Sequence, residues 1–272
     1  MGVSLSSDEV TCGAGKSHRL EPQTADERYF LDYVMRQRER YGEAMTVLDF
    51  GCGLGQKVRL LRQAGVKCVG AEVFYEGSAW EDAELDELVD AGVIVRIAPD
   101  GRLPFDEGSF DVIVSDEVIE HVEDLDRVAA ELNRVLRNGG RMYHQFPTVE
   151  ILREVHIGIP FAHRLPPNAL RFAYVLILRS AGLGSYKHEV RGRRAWTAAK
   201  LAWIDQYCHY RPLRQVERIL GSGRRVRHDE ADYLRARAQA MPVLGRLLGW
   251  RRLDWILARS FRLVGSTALE IE

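Results

Sequence analysis

The 272-residue chain has no hydrophobic run long enough to cross a bilayer. A spanning helix takes about 20 apolar residues, and the longest uninterrupted run, 172–178, holds seven. Asp8 and Glu9 stand where a signal peptide would need apolar residues, so export is not expected. Cysteine is scarce: Cys12, Cys52, Cys68 and Cys208 form no CxxC pair and no regular framework. That usage fits reduced thiols and a cytoplasmic setting. Internal repeats and low-complexity tracts are also missing. No GK[ST] sequence closes a glycine loop, which excludes a P-loop. A dinucleotide GxGxxG fingerprint fails at Gln56, where it needs glycine.

What is present is ordinary globular composition, 46% hydrophobic and 28% charged, enough to bury a core. The net charge of −1 hides an asymmetry. From Lys187 to the end there are 18 Lys and Arg against 9 Asp and Glu, so this third carries about +9. It suits either an acidic substrate or anionic membrane face, or the solvated outside of arginine-rich helices.

Residues 1–23 lack periodicity and read as a flexible leader. A helix is expected over 24–41, with Phe30, Tyr33, Val34 and Gln37 on neighbouring turns. Strands at 46–50, 66–72, 93–98, 110–115 and 141–146 then alternate with helices at 55–64, 79–90 and 125–136, with an Asn138-Gly139-Gly140 turn before the last strand. Strands spaced by helices imply right-handed βαβ units. After Pro147 this rhythm breaks, and a helix at 213–220 and β-like stretches at 224–228 and 266–271 follow. The expectation is an α/β, Rossmann-like, doubly wound and mostly parallel seven-stranded sheet with helical cap insertions. It divides into a leader (1–23), an N-terminal helix and cofactor-binding core (24–147) and a helical substrate-cap insertion (148–210). The remainder (211–272) completes the sheet and carries a basic helical insertion at 231–259, within a single domain overall.

The segment Asp49-Phe50-Gly51-Cys52-Gly53-Leu54-Gly55 lies between an apolar strand and a helix. Alternate glycines permit a tight turn and let a ligand lie against bare backbone. The next strand ends at Glu72, where an open parallel sheet offers a carboxylate to ribose hydroxyls.

VLDFGCGLG, LPFDEGSFDVIVSDEVIEHVED and LRNGGRMYHQFP together resemble the class I S-adenosylmethionine-dependent methyltransferases, in the branch with the "methyltransferase domain 11" pattern. The resemblance covers about 47–147. It implies that S-adenosylmethionine is bound, with Asp49, Gly51, Cys52 and Gly53 bordering the methionine moiety and Glu72 on the ribose. Asp100 and Gly101 would lie by the adenine, and Ser115 and Asp116 would close the site. Relatives usually carry an aspartate four residues before the LPF leucine, where this chain has Pro99.

Methyl transfer from a sulfonium is an in-line displacement in which positioning can dominate. His121, His144, His156 and His163 are candidate bases for the acceptor's proton. Glu117, Glu120 and His121 are spaced to share one helical turn. Their ExxEH pattern looks like the metal-binding segment of some O-methyltransferases, which would add Mg²⁺ or another divalent metal; in metal-free relatives the same letters are structural. The stretch 156–167 (HIGIPFAHRLPP) sits where a substrate lid would leave the sheet. Trp196, Trp203, Tyr207 and Tyr210 have a spacing compatible with one helix face. Residues 241–264 mix Leu, Ile and Trp with arginine, fitting a packed helix or peripheral membrane contact.

The resemblance makes O-methylation of a small molecule (a saccharide, glycolipid precursor or secondary metabolite) the leading expectation. Alternatives are an RNA 2′-O-methyltransferase, though no base-stacking module is present, and a non-catalytic cofactor-binding subunit. The sequence does not give the oligomeric state.

Overall fold

A computed structural model describes residues 20–74, 83–238 and 254–272. Residues 1–19, with the expected leader and Cys12, and residues 75–82 and 239–253 lie outside the described residues, and with them about half of the stretch 241–264 expected as a packed helix or membrane contact. Seven strands form one sheet in the order β3-β2-β1-β4-β5-β7-β6. They are β1 (Thr46–Phe50), β2 (Lys67–Glu72), β3 (Ile94–Arg96), β4 (Phe110–Asp116), β5 (Leu136–Phe146), β6 (Val226–His228) and β7 (Thr267–Ile271). The first five are parallel, and β7 runs antiparallel between β5 and β6. The expected seven-stranded, mostly parallel sheet is therefore the fold, completed by the last residues of the chain.

Alternation along β1 divides the core. Leu48 and Phe50 face one layer with Ile113, Leu132, Leu220 and Leu269, while Val47 faces another with Tyr33, Val112 and Tyr143. The first layer is covered by α4 (Leu125–Val135) and α7 (Leu213–Leu220), the second by α1 (Ala25–Tyr41), α2 (Gln56–Gln63) and α8 (Glu230–Ala238). Helix α3 (Ala83–Asp90) joins β2 to β3. α1 starts where the pattern predicts: Thr24 and Glu27 cap each other's backbone amides in a capping box, worth about 1 kcal/mol.

The Asn138-Gly139-Gly140 turn does not end an element. β5 runs through it as a bulge, because Phe110 pairs with Leu136 and Val112 with Arg141. Gly140 has no room for a side chain there: a Cβ would lie 2.8 Å from the Asp111 carbonyl oxygen.

The cap contains α5 (Ala169–Ser180) and α6 (Arg193–Tyr207) around a separate small core of Ile157, Ile159, Ala162, Val175, Trp196, Leu201 and Ile204. Arg171, almost wholly buried, is paired with Asp205 at 2.5 Å across the two helices. A last helix, α9 (Asp254–Val264), packs beside α8. No described helix is long and apolar enough to cross a membrane.

Candidate active site

The carboxyl ends of β1, β2 and β4 meet where the sheet can receive a nucleotide. The glycine loop leaves β1 and is tied to β2: the Gly51 and Cys52 amides donate to the Ala71 carbonyl at 2.8 and 3.2 Å, and the Gly53 amide donates to Glu72 Oε2 at 2.9 Å. Glu72 thus reaches the loop itself, and its Oε1 accepts from the Val73 amide. Three glycines bend the turn with left-handed φ, +74° at Gly51, +55° at Gly53 and +75° at Gly55. They are not equivalent. A Cβ on Gly51 would lie 2.3 Å from Val118 Cγ2, whereas one on Gly53 meets nothing within 4 Å. Cys52 lies against Gly70 of β2, where an added Cβ would be 2.5 Å from the sulfur.

Asp49, the last residue but one of β1, is almost wholly buried, and its Oδ2 has no hydrogen-bond partner. Burial raises its carboxyl to about 6; Lys57 opposes this, and the neighbouring Asp116 and Glu72 carboxylates reinforce it. Lys57, from the first turn of α2, spans the crevice to Asp116 Oδ2 at 2.6 Å, leaving Asp116 Oδ1 unpartnered. Unpaired buried carboxylate oxygens are costly. Beside a glycine cradle they suit a ligand carrying both positive charge and hydroxyls. The donor set therefore fits S-adenosylmethionine, whose sulfonium and ammonium are cationic.

The remaining expected cofactor residues separate. Asp100 is exposed, caps its own turn by accepting from the Arg102 amide and lies 3.7 Å from Arg127. Gly101 takes φ +74° in that turn with open space on its Cβ side. Ser115 is a correction: its hydroxyl lies inside the sheet, 2.7 Å from His144 Nδ1, and both side chains are fully buried. In-register pairing of β4 with β5 puts these two opposite each other. His144 is corrected with it. Burial lowers its pKa to about 3, and its Nε2 has no partner, so it is a neutral interior imidazole.

The ExxEH segment is not one helical turn. Glu117 follows β4 with φ +56° and precedes a single 3₁₀ turn, Ile119–His121. Ser266 donates to its carboxylate, and burial raises it to about 7. Glu120 is fully buried with no N–H or O–H donor on either oxygen; burial and then the nearby Glu117 push it well upward. His121 turns its Nδ1 to the Tyr207 carbonyl at 2.7 Å, and its Nε2 lies 3.8 Å from Glu120 Oε1. Backbone pairing fixes this approach, since the His209 amide donates to the Glu120 carbonyl at 2.6 Å.

The cap meets His121 here. His156 stacks edge-on to it with ring centres 5.0 Å apart, and Trp203 lies 5.8 Å from one ring and 5.0 Å from the other. Glu154, fully buried, holds His156 Nδ1 at 2.7 Å and accepts from the Tyr210 hydroxyl. His163 is turned to the Val149 carbonyl at 3.2 Å. Tyr210 lies three residues beyond the end of α6, so the four aromatics do not share one helix face. Sequence reasoning missed Lys57, Glu154 and Cys208. Only Glu154, two residues before a histidine in the lid, carried a local signal.

Residues 48–144 match the model of a family described as "Methyltransferase domain". The ubiquinone biosynthesis O-methyltransferase of Mesorhizobium japonicum is 34% identical over 106 residues, 37% of this chain and 40% of that one. The methyltransferase GfsG of Streptomyces halstedii is 37% identical over 98 residues, 35% of each chain. The sarcosine/dimethylglycine N-methyltransferase of Halorhodospira halochloris is 30% identical over 129 residues, 47% of this chain and 46% of that one. The chain thus spans less than half the length of these curated relatives in each match. A solved S-adenosylmethionine-dependent methyltransferase from Mesorhizobium loti shares the fold with a TM-score of 0.53 at 17% identity, over 92% of this chain and 98% of that one. With its glycine loop and strand order, the chain has the fold of class I S-adenosylmethionine-dependent methyltransferases, and residues 48–144 resemble the methyltransferase-domain family.

Proposed function

We propose that the protein transfers the methyl group of S-adenosylmethionine to an oxygen of a small molecule held beneath the cap at 148–210. The observation that carries this is the pairing of two unlike surfaces: the anionic cradle of Asp49, Gly53 and Glu72, and the polar aromatic cluster of Glu117, His121, His156 and Trp203. The matched segment is shared by proteins whose names specify O-methylation and N-methylation, so selection of the acceptor is assigned to the cap, outside that segment.

S-adenosylmethionine supplies a methyl on a sulfonium, a good leaving group. In an in-line transfer the carbon–sulfur bond breaks as the carbon–oxygen bond forms, and the acceptor's proton is released. Asp49 balances positive charge, and Glu72, held at the loop with one oxygen on the Gly53 amide and the other on the Val73 amide, is the ribose partner. Asp100 and Gly101 border the adenine, with Asp100 one residue later than in relatives. Lys57 holds Asp116 across the crevice, so the walls keep their spacing. Of the four imidazoles, His121 and His156 face the acceptor side and His144 and His163 do not. Among the described residues of the basic third, Arg227, Arg235, Arg237 and Arg262 are in ion pairs, with Glu270, Asp232, Asp26 and Glu230. This supports the solvated-surface reading of that charge over an RNA site.

The test is calorimetry with S-adenosylmethionine followed by a labelled-methyl screen of saccharide, phenolic and lipid-precursor acceptors. The expected result is cofactor binding with label on an acceptor oxygen. Binding without transfer to any acceptor would favour the non-catalytic subunit, and salt-dependent methylation of RNA would replace the small-molecule reading.

A further inference from the structure

Three segments distant in sequence converge on one point: the 3₁₀ turn after β4 brings His121, the first cap loop His156, and the end of α6 Cys208. One ring nitrogen of each histidine and the Cys208 sulfur lie within 4.8 Å of one another. The Cys208 sulfur also lies 3.8 Å from His156 Nδ1, and two imidazoles and a sulfur so disposed suit a zinc-like cation, since soft sulfur and imidazole donors select such ions.

The surroundings favour a cation independently. A carbonyl only accepts, so the Tyr207 oxygen 2.7 Å from His121 Nδ1 fixes the proton there and leaves Nε2 as a lone-pair donor. A ligating histidine typically has such a partner on its other nitrogen. Glu120 is fully buried with no N–H or O–H donor on either oxygen, the Glu117 carboxyl beside it, and Oε1 3.8 Å from His121 Nε2. A carboxylate this deeply buried needs a counter-charge or a proton. Glu154, also fully buried, already accepts from the Ile157 amide and the Tyr210 hydroxyl, and it orients His156 through Nδ1 at 2.7 Å.

We infer that His121, His156 and Cys208 bind a zinc-class dication, with the Glu120 carboxylate beside it, fastening the cap to the end of β4. This set differs from the ExxEH set expected from the sequence: it keeps His121, replaces Glu117 with cap residues and changes the preferred metal from Mg²⁺ to a thiophilic ion. On binding, the thiol proton passes to solvent, and a dication with one thiolate and one carboxylate is electrically neutral. The site does not depend on which acceptor is methylated.

Cobalt(II) is the probe, since it occupies zinc sites and its bond to a thiolate gives a charge-transfer band in the near ultraviolet. The full chain, freed of metal by chelation, is expected to take up one equivalent of Co²⁺ with that band, and Zn²⁺ but not excess Mg²⁺ should displace it. Cys208→Ser should remove the band although Cys12, Cys52 and Cys68 remain, and His156→Asn should weaken Zn²⁺ binding at least about tenfold. S-adenosylmethionine binding by each variant serves as the check that it folds. Should Cys208→Ser not fold, the intensity of the cobalt band in His121→Asn decides the same question. No stoichiometric Co²⁺ uptake, or uptake with a spectrum that Cys208→Ser and His121→Asn leave unchanged, overturns the site.

Discussion

At the scale of the residue, two glycines of the cofactor loop do different work. Gly51 is needed by the protein: any side chain collides with Val118, and its φ of +74° is strained for other residues. Gly53 is strained too, but it faces open space. Left-handed backbone costs a non-glycine residue about 1–2 kcal/mol. Gly53→Ala is therefore expected to lower Tm by only a few degrees while greatly weakening S-adenosylmethionine binding. Gly51→Ala should lower Tm by clearly more, as the Val118 clash adds to the strain. Differential scanning calorimetry with isothermal titration checks both, and unchanged affinity in Gly53→Ala would remove that face from the cofactor site.

Asp49 makes a second prediction at this scale. Burial raises its carboxyl to about 6, so the charged form that attracts a cationic ligand exists above that pH. Affinity for S-adenosylmethionine should be full near pH 7.5 and fall by up to about tenfold per unit below 6, because binding then requires loss of a proton. Titrations from pH 5 to 7.5 measure it. Asp49→Asn should bind weakly with little pH dependence; the same slope in the variant would assign the titration to another group.

At the scale of the element, the C-terminal part is fastened by Glu230 at the start of α8. This fully buried carboxylate accepts from Arg262 of α9 and from Thr267 of β7. Burial works to raise its pKa, yet hydrogen bonds from His228, Arg262 and Thr267 outweigh that and bring it to about 2. A folded value below the unfolded one of about 4.3 stabilises the protein above that pH by about 3 kcal/mol. The contribution fades as pH falls from about 4.3 through 2. Glu230→Gln should lose most of it at pH 7 and flatten this part of the acid unfolding curve. Urea titrations at pH 7 and pH 3 measure the difference, and parallel wild-type and variant curves would contradict the role.

Within the elements, legibility followed local chemistry. The helical spacing of Phe30, Tyr33, Val34 and Gln37 announced α1, the span of α7 was expected at 213–220, and the end of β2 at Glu72 was plain. The bulge in β5 was not, because Gly139-Gly140 reads as a turn in any local window. Its conversion to a bulge needs Asp111 on the adjacent strand, which also holds the Thr46 amide at 2.9 Å and Arg137 at 2.5 Å.

At the scale of the molecule, two apolar layers clothe the sheet and a third, smaller core around Trp196 sits in the cap. A core this small buries less apolar surface per ordered residue, so α5 and α6 are expected to open below the global unfolding free energy. Hydrogen exchange followed by mass spectrometry should show them exchanging before β1, β4 and β5. Equal protection would make cap and sheet one cooperative unit. Adding S-adenosylmethionine should slow exchange in the glycine loop most, since binding stabilises only the folded state.

The sequence by itself determined the parallel α/β architecture and the glycine loop that meets Glu72, because both are written in short segments. Period-two burial, a glycine turn and a carboxylate at the next strand's end each follow from neighbours in the chain. Tertiary structure alone decided which side chains face the acceptor. His121 and His144 are alike in sequence, yet strand register buries one opposite Ser115 while a 3₁₀ turn delivers the other to His156 and Cys208. Those partners lie 35 and 87 residues away from His121, and contacts across such distances are set by how the cap packs on the sheet, which no local pattern encodes.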